Sequence, residues 1–236
     1  MEQIESHDEA GSSRKRFLLM VGGTGAAGAV GLLAAACGDG GGQPDSAEQK
    51  PEEPVTGDLE IVQYALTLEY LEAKFYADVL EAGVLRDSGL VKTAEDIAQN
   101  ELEHVEVLRA LVSQLGANPA PDPEGDFQSV IEQGERAVLE TAAIVENVGA
   151  AAYLGQAPLI QDPDILAAAL SIHTVEARHA AALNKAYGFA FATNDPLEGS
   201  VPNGPFAKPL DMAAVLKQIE PFLPKDPAGS NGKGNS

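Results

Sequence analysis

The chain has 236 residues and a formal net charge of −21, from 36 acidic and 15 basic side chains. This excess of acid disfavours nucleic acid as a partner, because the protein would repel phosphate. The length suits one domain of ordinary size, and the single cysteine excludes an internal disulfide. We therefore expect stability to come from a packed core or from bound metal.

Residues 1–36 are predicted to be an export signal. The basic segment SRKRFL precedes LMVGGTGAAGAVGLLAAAC, an uncharged stretch whose moderate hydrophobicity is typical of a cleaved signal, not of a permanent membrane span. SRKRFL also resembles the twin-arginine export motif, with Lys15 in place of the second arginine, so twin-arginine and Sec export both remain open. Either route leads to the cell envelope.

Cys37 follows LLAAA and precedes Gly38, an arrangement that resembles a bacterial lipobox. The resemblance implies cleavage before Cys37, acylation of its thiol and a lipid anchor at the outer face of the cytoplasmic membrane. The alternative is that Cys37 is an ordinary small residue of a cleaved signal. Residues 37–57 are poor in apolar side chains and rich in Gly, Pro and acid, which predicts a flexible tether.

From residue 58 onward, apolar residues recur at helical spacing. The first predicted helix runs from Asp58 to Ala82. The second starts near Thr93, in a capping-box-like arrangement with Asp96, and ends before Gly116.

A proline-rich loop precedes the third predicted helix, which Asp126 caps and which ends near Leu154. Asp162 is predicted to cap the fourth helix, with Pro163 as its first residue and Gly188 after its end. Helices of this length without a competing strand pattern predict an all-α fold, a four-helix bundle over residues 58–188. Residues 189–223 follow as an extension with a short helix capped by Asp211, and residues 224–236 are predicted to be disordered.

Two Glu-x-x-His pairs interrupt the apolar stripes of the second and fourth helices. The helix before each pair carries a glutamate with a tyrosine seven residues later. The matched positions lie 75 to 77 residues apart, which indicates an internal duplication. The residues are Glu69, Tyr76, Glu101 and His104 in the first half, and Glu146, Tyr153, Glu176 and His179 in the second.

These glutamates and histidines predict a metal centre. Positions three apart on a helix project to the same side, so each Glu-x-x-His pair can hold one ion. Carboxylates and imidazoles in this ratio suit Fe or Mn, and bridging carboxylates suit two ions. Buried carboxylates without cations would be costly. The predicted ligands are Glu69, Glu101, His104, Glu146, Glu176 and His179.

Other interpretations of single residues stay open. Glu72 lies on the same stripe as Glu69 and is its rival as ligand. His104 and His179 can also be ordinary helix-face residues, and Glu146 can be a solvated glutamate. Tyr76 and Tyr153 can be aromatic residues of the core. His173 has no counterpart in the first half and is expected to be a core or rim histidine.

The order Glu, Glu-x-x-His, Glu, Glu-x-x-His over four long helices resembles the ferritin-like superfamily of di-iron and di-manganese carboxylate proteins, which includes bacterioferritins and rubrerythrins. ALTLEYLEAKFY and VEARHAAAL look closest to bacterial ferritin-like domain proteins related to plant desiccation proteins. The resemblance implies two antiparallel helix pairs joined by a long crossover.

The resemblance also implies a role for each site residue. Glu69 and Glu146 would be terminal ligands, Glu101 and Glu176 bridging ligands, and His104 and His179 terminal ligands. Tyr76 and Tyr153 would hold carboxylates by hydrogen bonds.

The departures from the family pattern narrow the function. There is no cysteine for a rubredoxin-type iron site, no methionine on the second helix for haem, and a lipid tether fits poorly with a closed storage shell.

The first hypothesis for the function is an oxidoreductase that reduces O2 or peroxide at two Fe or Mn ions. The second is a non-catalytic protein that sequesters metal or protects the envelope under drying or oxidative stress. A bundle with vestigial glutamates is a third. The choice of Fe or Mn, and of monomer or homo-oligomer, stays open.

Overall fold

The computed structural model describes residues 56–188 and 207–224. These ranges contain helices and no strand, which confirms the predicted all-α fold. The helices are α1 Thr56–Ala82, α2 Ser88–Gln114, α3 Gln128–Ile131, α4 Glu135–Gln156, α5 Pro163–Tyr187 and α6 Met212–Ile219, with single 3-10 turns at Ala157–Leu159 and Glu220–Phe222. The predicted export signal, Cys37, the tether up to residue 55 and the terminal tail from residue 225 lie outside the described residues.

The four long helices form two antiparallel hairpins, α1 with α2 and α4 with α5. At one end of the bundle, Asp58 at the start of α1 accepts hydrogen bonds from the backbone N–H groups of Gln161 and Asp162, just before α5. At the same end, the Gln63 side chain donates to the carbonyl of Asn118, just after α2. Helices α1 and α5 therefore begin where α2 and α4 end.

Residues 115–134 carry the chain from the end of α2 to the start of α4, at the other end of the bundle. This long crossover is held by aromatic packing, since Phe127 is buried with its ring centroid 5.1 Å from that of Phe75 on α1 and 5.2 Å from that of Phe222. The N–H of Asp126 also donates to the carbonyl of Phe222. The crossover is thus fixed between α1 and the C-terminal segment.

The predicted start of the second helix is wrong. Helix α2 begins at Ser88, because Asp87 Oδ1 accepts the otherwise unpaired N–H groups of Gly89 and Leu90 at 2.9 and 3.0 Å. Thr93 lies inside the helix, where its hydroxyl donates to the Gly89 carbonyl. A stronger N-cap upstream therefore replaces the capping box expected at Thr93.

The predicted start of the third helix is also wrong. Asp126 accepts a hydrogen bond from the N–H of Gln128, but the helix that follows, α3, has only four residues. The chain then turns at Gly134, whose φ is +90°, and α4 begins at Glu135. This turn lets Phe127 enter the core before the long helix starts.

The last two helices begin where the sequence predicts. Asp162 accepts the first N–H groups of α5, which starts at Pro163 and ends at Gly188 in the left-handed conformation. Asp211 caps α6 by accepting the N–H of Ala214. The local sequence thus supplies an N-terminal cap for both helices and a glycine stop signal for α5.

Helix α4 is the central helix of the fold. The segment Glu135–Leu159 is long and apolar enough to cross a membrane by length and composition alone, but two thirds of its most apolar 18-residue stretch is buried inside the described structure, as in a core helix. The C-terminal segment packs closely on α4, since the N–H of Leu210 donates to the Ala151 carbonyl. A Cβ at Gly155 would lie 1.8 Å from the Leu210 carbonyl oxygen, so glycine is required there.

Candidate metal centre

Each long helix contributes one fully buried glutamate to the centre of the bundle. Glu69, Glu101, Glu146 and Glu176 all have 0 % of their surface exposed. His104 and His179 lie beside them, also buried. Among the described residues, the ion-pair partners of these carboxylates are the two histidines. Four carboxylates are thus withdrawn from water together, an arrangement that cations make tolerable.

The structure brings all six predicted ligands together as two overlapping groups. The first group is Glu69, Glu101, His104 and Glu176, and the second is Glu101, Glu146, Glu176 and His179. Within each group, one potential ligand atom per residue lies within 4.8 Å of all the others. Glu101 and Glu176 belong to both groups, which is the arrangement needed for carboxylates that bridge two ions.

The atoms of the first group have the spacing of ligands around one small cation. His104 Nδ1 lies 3.1 Å from Glu69 Oε2, 2.9 Å from Glu101 Oε2 and 3.2 Å from Glu176 Oε1. A single ring N–H cannot serve three acceptors. Ligand atoms that bind one ion at about 2.1 Å and at right angles to each other are about 3 Å apart. A cation therefore fits the donor set better than a proton does.

The second group repeats this spacing. His179 Nδ1 lies 3.0 Å from Glu101 Oε1 and 3.2 Å from Glu146 Oε2. Glu101 Oε1 and both carboxylate oxygens of Glu176 are buried without a hydrogen-bond partner, although His179 Nδ1 lies 3.0 Å from Glu101 Oε1 and His104 Nδ1 lies 3.2 Å from Glu176 Oε1. Buried acceptors without a partner are costly, and metal ions would satisfy them.

Burial and charge shift the pKa values of the carboxylates in different directions. Burial raises the pKa of Glu101 to about 7, although the hydrogen bond with His104 and the short contact with His179 oppose the rise. Burial, with neighbouring carboxylates added, raises the pKa of Glu176 well above its ordinary value. Burial acts on Glu69 as well, but the charge and hydrogen bond of His104 outweigh it and the pKa is lowered.

The histidines favour their protonated forms when no metal is bound. Burial by itself would lower the pKa of His104, but the charge of Glu69 and hydrogen bonds with its neighbours outweigh burial and raise the pKa. Burial is likewise outweighed at His179, where the short contact with Glu101 and the hydrogen bond with Glu146 raise the pKa to about 9. A metal ion entering the centre must therefore displace protons.

Tyr76 and Tyr153 each form a hydrogen bond to a buried glutamate from the opposite half of the chain. Tyr76 Oη donates to Glu146 Oε1 at 2.5 Å, and Tyr153 Oη donates to Glu69 Oε1 at 2.5 Å. Burial, followed by the adjacent carboxylate charge, raises the pKa of both hydroxyls well above the ordinary value, so they remain hydrogen-bond donors. Each tyrosine fixes one oxygen and leaves the other directed toward a histidine.

Glu72, the rival of Glu69 in the sequence, is also buried in the centre. Glu69 belongs to the first group of four, whereas Glu72 lies outside both groups and has 3 % of its surface exposed. Burial, followed by the charges of Glu176, Glu69 and Glu146, raises the pKa of Glu72 well above its ordinary value. His173 is half-buried and lies away from the centre, with Nδ1 2.9 Å from the Ala150 carbonyl oxygen.

Asn100 is a site residue that the sequence analysis does not identify. Its Nδ2 lies 3.0 Å from Nε2 of His179, the ring nitrogen that faces away from the carboxylates. If Nδ1 bound a cation, Nε2 would carry the proton, and the Asn100 amide would accept it through its oxygen after a flip that exchanges Nδ2 and Oδ1. The matched position in the second half is Val175, so no repeat signal marks Asn100.

Comparison with known families agrees with this geometry. A family model described as a ferritin-like domain matches residues 57–188, which cover α1 to α5 and all six residues of the two groups. A search of curated proteins found no match to the chain.

Proposed function

Because the chain belongs to the ferritin-like family, we propose that its bundle binds two Fe or Mn ions and reduces a small oxidant such as O2 or peroxide. The observation that supports this proposal best is the pair of overlapping four-residue groups, which share two carboxylates. Two shared and two unshared carboxylates provide four negative charges, which balance two divalent ions. Mixed carboxylate and imidazole donors suit Fe and Mn.

In the proposed centre, Glu101 and Glu176 would be shared by the two ions, one ion would be held also by Glu69 and His104, and the other also by Glu146 and His179. Fe(II) or Mn(II), when bound, would supply the two electrons that reduce the oxidant, each ion losing one electron to become trivalent. The protein residues bind and orient the ions, and Tyr76 and Tyr153 keep the terminal carboxylates in place. Protons released from the buried site on metal binding leave the histidine nitrogens free to act as ligands.

The burial of the centre favours a small oxidant as substrate. All four glutamates of the two groups are fully buried, so a large substrate has no direct contact with them in this conformation. A narrow cavity of about 20 Å³, lined mainly by apolar side chains, borders Tyr153, Leu108 and Ile165. Tyr153 is also the hydrogen-bond donor to Glu69, so this cavity approaches the centre from one side.

Reconstitution of the purified protein with Fe(II) or Mn(II) without oxygen, followed by metal analysis and by O2 or peroxide consumption, tests the proposal. We expect two ions per chain and oxidant consumption, and we expect Glu101→Ala to abolish both. The matched control is Glu103→Ala, two positions along the same helix and outside both groups. Two ions without oxidant consumption would support the metal-sequestering alternative, and absence of metal binding would refute the proposal.

We also propose that the protein is exported and anchored through Cys37 to the outer face of the cytoplasmic membrane. The support is the sequence of residues 12–38, with its basic start, uncharged stretch and lipobox-like end. Labelling of cells with a radioactive fatty acid tests this assignment. Incorporation into the wild type and not into Cys37→Ser is expected, whereas an unlabelled wild type would contradict the anchor.

A further inference from the structure

A cavity of about 220 Å³ lies between α4, α5 and the start of the C-terminal segment. The described residues that line it belong to neither group of the metal centre. Its volume is that of about seven water molecules, so it has room for a small organic molecule. Six alanines form its apolar wall, and its polar side chains are Asn147, His173, Asn184 and Lys208.

A backbone carbonyl fixes the orientation of the two asparagines in this cavity. Asn147 and Asn184 are buried, with 2 % and 4 % of their surface exposed. Asn147 Nδ2 donates to the Ala143 carbonyl at 2.7 Å and to Asn184 Oδ1 at 2.8 Å. Because a carbonyl can only accept, the first bond orients the Asn147 amide, and the second then orients the Asn184 amide.

This orientation leaves one acceptor and one donor group unused. Asn147 Oδ1 and Asn184 Nδ2 have no hydrogen-bond partner among the described residues, and both side chains line the cavity. Amide groups withdrawn from bulk water are costly when they stay unpaired. They therefore indicate that a polar molecule enters the cavity and pairs with them.

His173 adds a second acceptor to the lining. Its Nδ1 lies 2.9 Å from the Ala150 carbonyl oxygen, so Nδ1 carries the hydrogen of this bond. In the neutral ring, Nε2 then has a free lone pair. The cavity thus offers an imidazole nitrogen to a ligand that brings its own hydrogen.

Lys208 gives the cavity a charge opposite to that of the chain. The chain carries a net charge of −21, yet Lys208 is the only lysine, arginine, aspartate or glutamate among the described lining residues. An ammonium group together with the unpaired N–H groups of Asn184 favours an anionic oxygen acceptor. Carboxylates are anions of a size that fits the cavity.

We propose that this cavity binds a small carboxylate that carries a hydroxyl or amino group on the neighbouring carbon, such as an α-hydroxy acid or an amino acid. The carboxylate accepts from Lys208 and Asn184, and the hydroxyl or amino group donates to Nε2 of His173. The alanine wall accommodates a short apolar chain. This inference does not rest on the proposed metal-binding function.

Ligand-detected NMR titration of the purified protein tests the inference with three probes of similar size. L-lactate has both the carboxylate and the hydroxyl, propionate lacks the hydroxyl, and lactamide lacks the charge. Chelating resin first removes metal, so that no probe binds through a metal ion. We expect lactate to bind about tenfold more tightly than lactamide and at least about threefold more tightly than propionate. No binding of lactate, or equal binding of the three probes, would overturn the inference.

A charge variant tests the carboxylate end of the site. Lys208→Gln should weaken lactate binding by about tenfold. The matched control is Lys217→Gln, which removes the same charge from an exposed position on α6 outside the cavity lining. Because Lys208 is also exposed, its replacement leaves the fold intact. Equal lactate affinities in the two variants would overturn the inference.

A second variant tests the other end. In His173→Asn the side-chain amide can still donate to the Ala150 carbonyl, but the acceptor Nε2 is lost. The preference for lactate over propionate should then disappear, while propionate affinity stays within about twofold of that of the wild type. A folded variant that keeps the preference for lactate would contradict the role of His173.

Discussion

Tyr153 on α4 donates a 2.5 Å hydrogen bond to Glu69 on α1, 84 residues earlier in the chain. Tyr76 makes the reciprocal bond to Glu146. Each half of the duplicated sequence therefore positions one buried carboxylate of the other half, Glu69 or Glu146. The two hairpins are linked at their centre by these bonds as well as by apolar packing.

Removal of the Tyr153 hydroxyl should leave the Glu69 carboxylate present but less firmly oriented. We expect Tyr153→Phe to weaken Mn(II) binding by about tenfold to 100-fold, because hydrogen-bonded partners of metal ligands contribute on this scale. Tyr64→Phe is the matched control, since the Tyr64 hydroxyl is buried and has no hydrogen-bond partner. Calorimetric titration measures both affinities, and equal affinities for the two variants would contradict the role of Tyr153.

The number of ions bound should depend on which glutamate is changed. Glu69 belongs to one four-residue group, whereas Glu101 belongs to both. Glu69→Gln should therefore reduce tight binding from two ions to one, and Glu101→Gln should remove tight binding of both. Metal analysis after gel filtration measures the stoichiometry. The same stoichiometry in the two variants would show that Glu101 does not bridge.

The metal-free protein should lose stability as the pH rises. Folding raises the pKa of Glu101 from 4.5 to about 7 and that of His179 from 6.5 to about 9. The folded state then holds more protons than the unfolded state between pH 4.5 and about 9, so stability decreases across this window. The lowered pKa of Glu69 acts in the opposite sense, but below pH 4.5.

Calorimetric melting in EDTA measures this dependence, and the melting temperature should fall from pH 5 to pH 9. Saturating Mn(II) should reverse the trend, because the metal displaces the same protons and binds more tightly as the pH rises. A melting temperature that rises with pH in EDTA would contradict the assigned shifts.

We expect Asn100 to affect the binding affinity of only one of the two ions, the one near His179. Asn100→Ala removes the group next to Nε2 of His179, whereas the ring of His104 keeps its contacts. We expect one binding step to weaken by about tenfold and the other to change little. Gln99→Ala, at the exposed neighbouring position, is the control. An equal loss in both steps would indicate that the bundle as a whole is disturbed.

The close packing of the C-terminal segment on α4 should be sensitive to one methyl group. Gly155→Ala places a Cβ against the Leu210 carbonyl and should lower the free energy of unfolding by about 1–3 kcal/mol, the usual cost of overpacking. Gly57→Ala, which meets no atom within 4 Å, is the control. Urea unfolding measures both, and similar values would contradict the packing described here.

Sequence reasoning succeeds here where the determining signals are local. The start of α5 follows from Asp162 and Pro163, and its end follows from Gly188. The start of α2 is missed because Asp87 competes with Thr93 as the cap, and both have the chemistry for it. The start of α4 is missed because the turn at Gly134 depends on where Phe127 enters the core, which local sequence does not specify.

The assembly of the centre could be anticipated from the repeat, whereas its asymmetry could not. Spacing predicts that the residues of the two Glu-x-x-His pairs lie on inward faces, and the structure places them there. Glu69 and Glu72 lie one turn apart on the same face, so helical periodicity could not separate them.

The sharing of both groups between the hairpins bears on how the centre is assembled. The first hairpin supplies Glu69, Glu101 and His104 to one group, and only Glu101 to the other. Neither hairpin holds a complete set, but a single hairpin paired with an identical copy would present the same six side chains. A symmetric dimer of one hairpin would therefore suffice to build the centre, and the covalent link between the hairpins is not what assembles it.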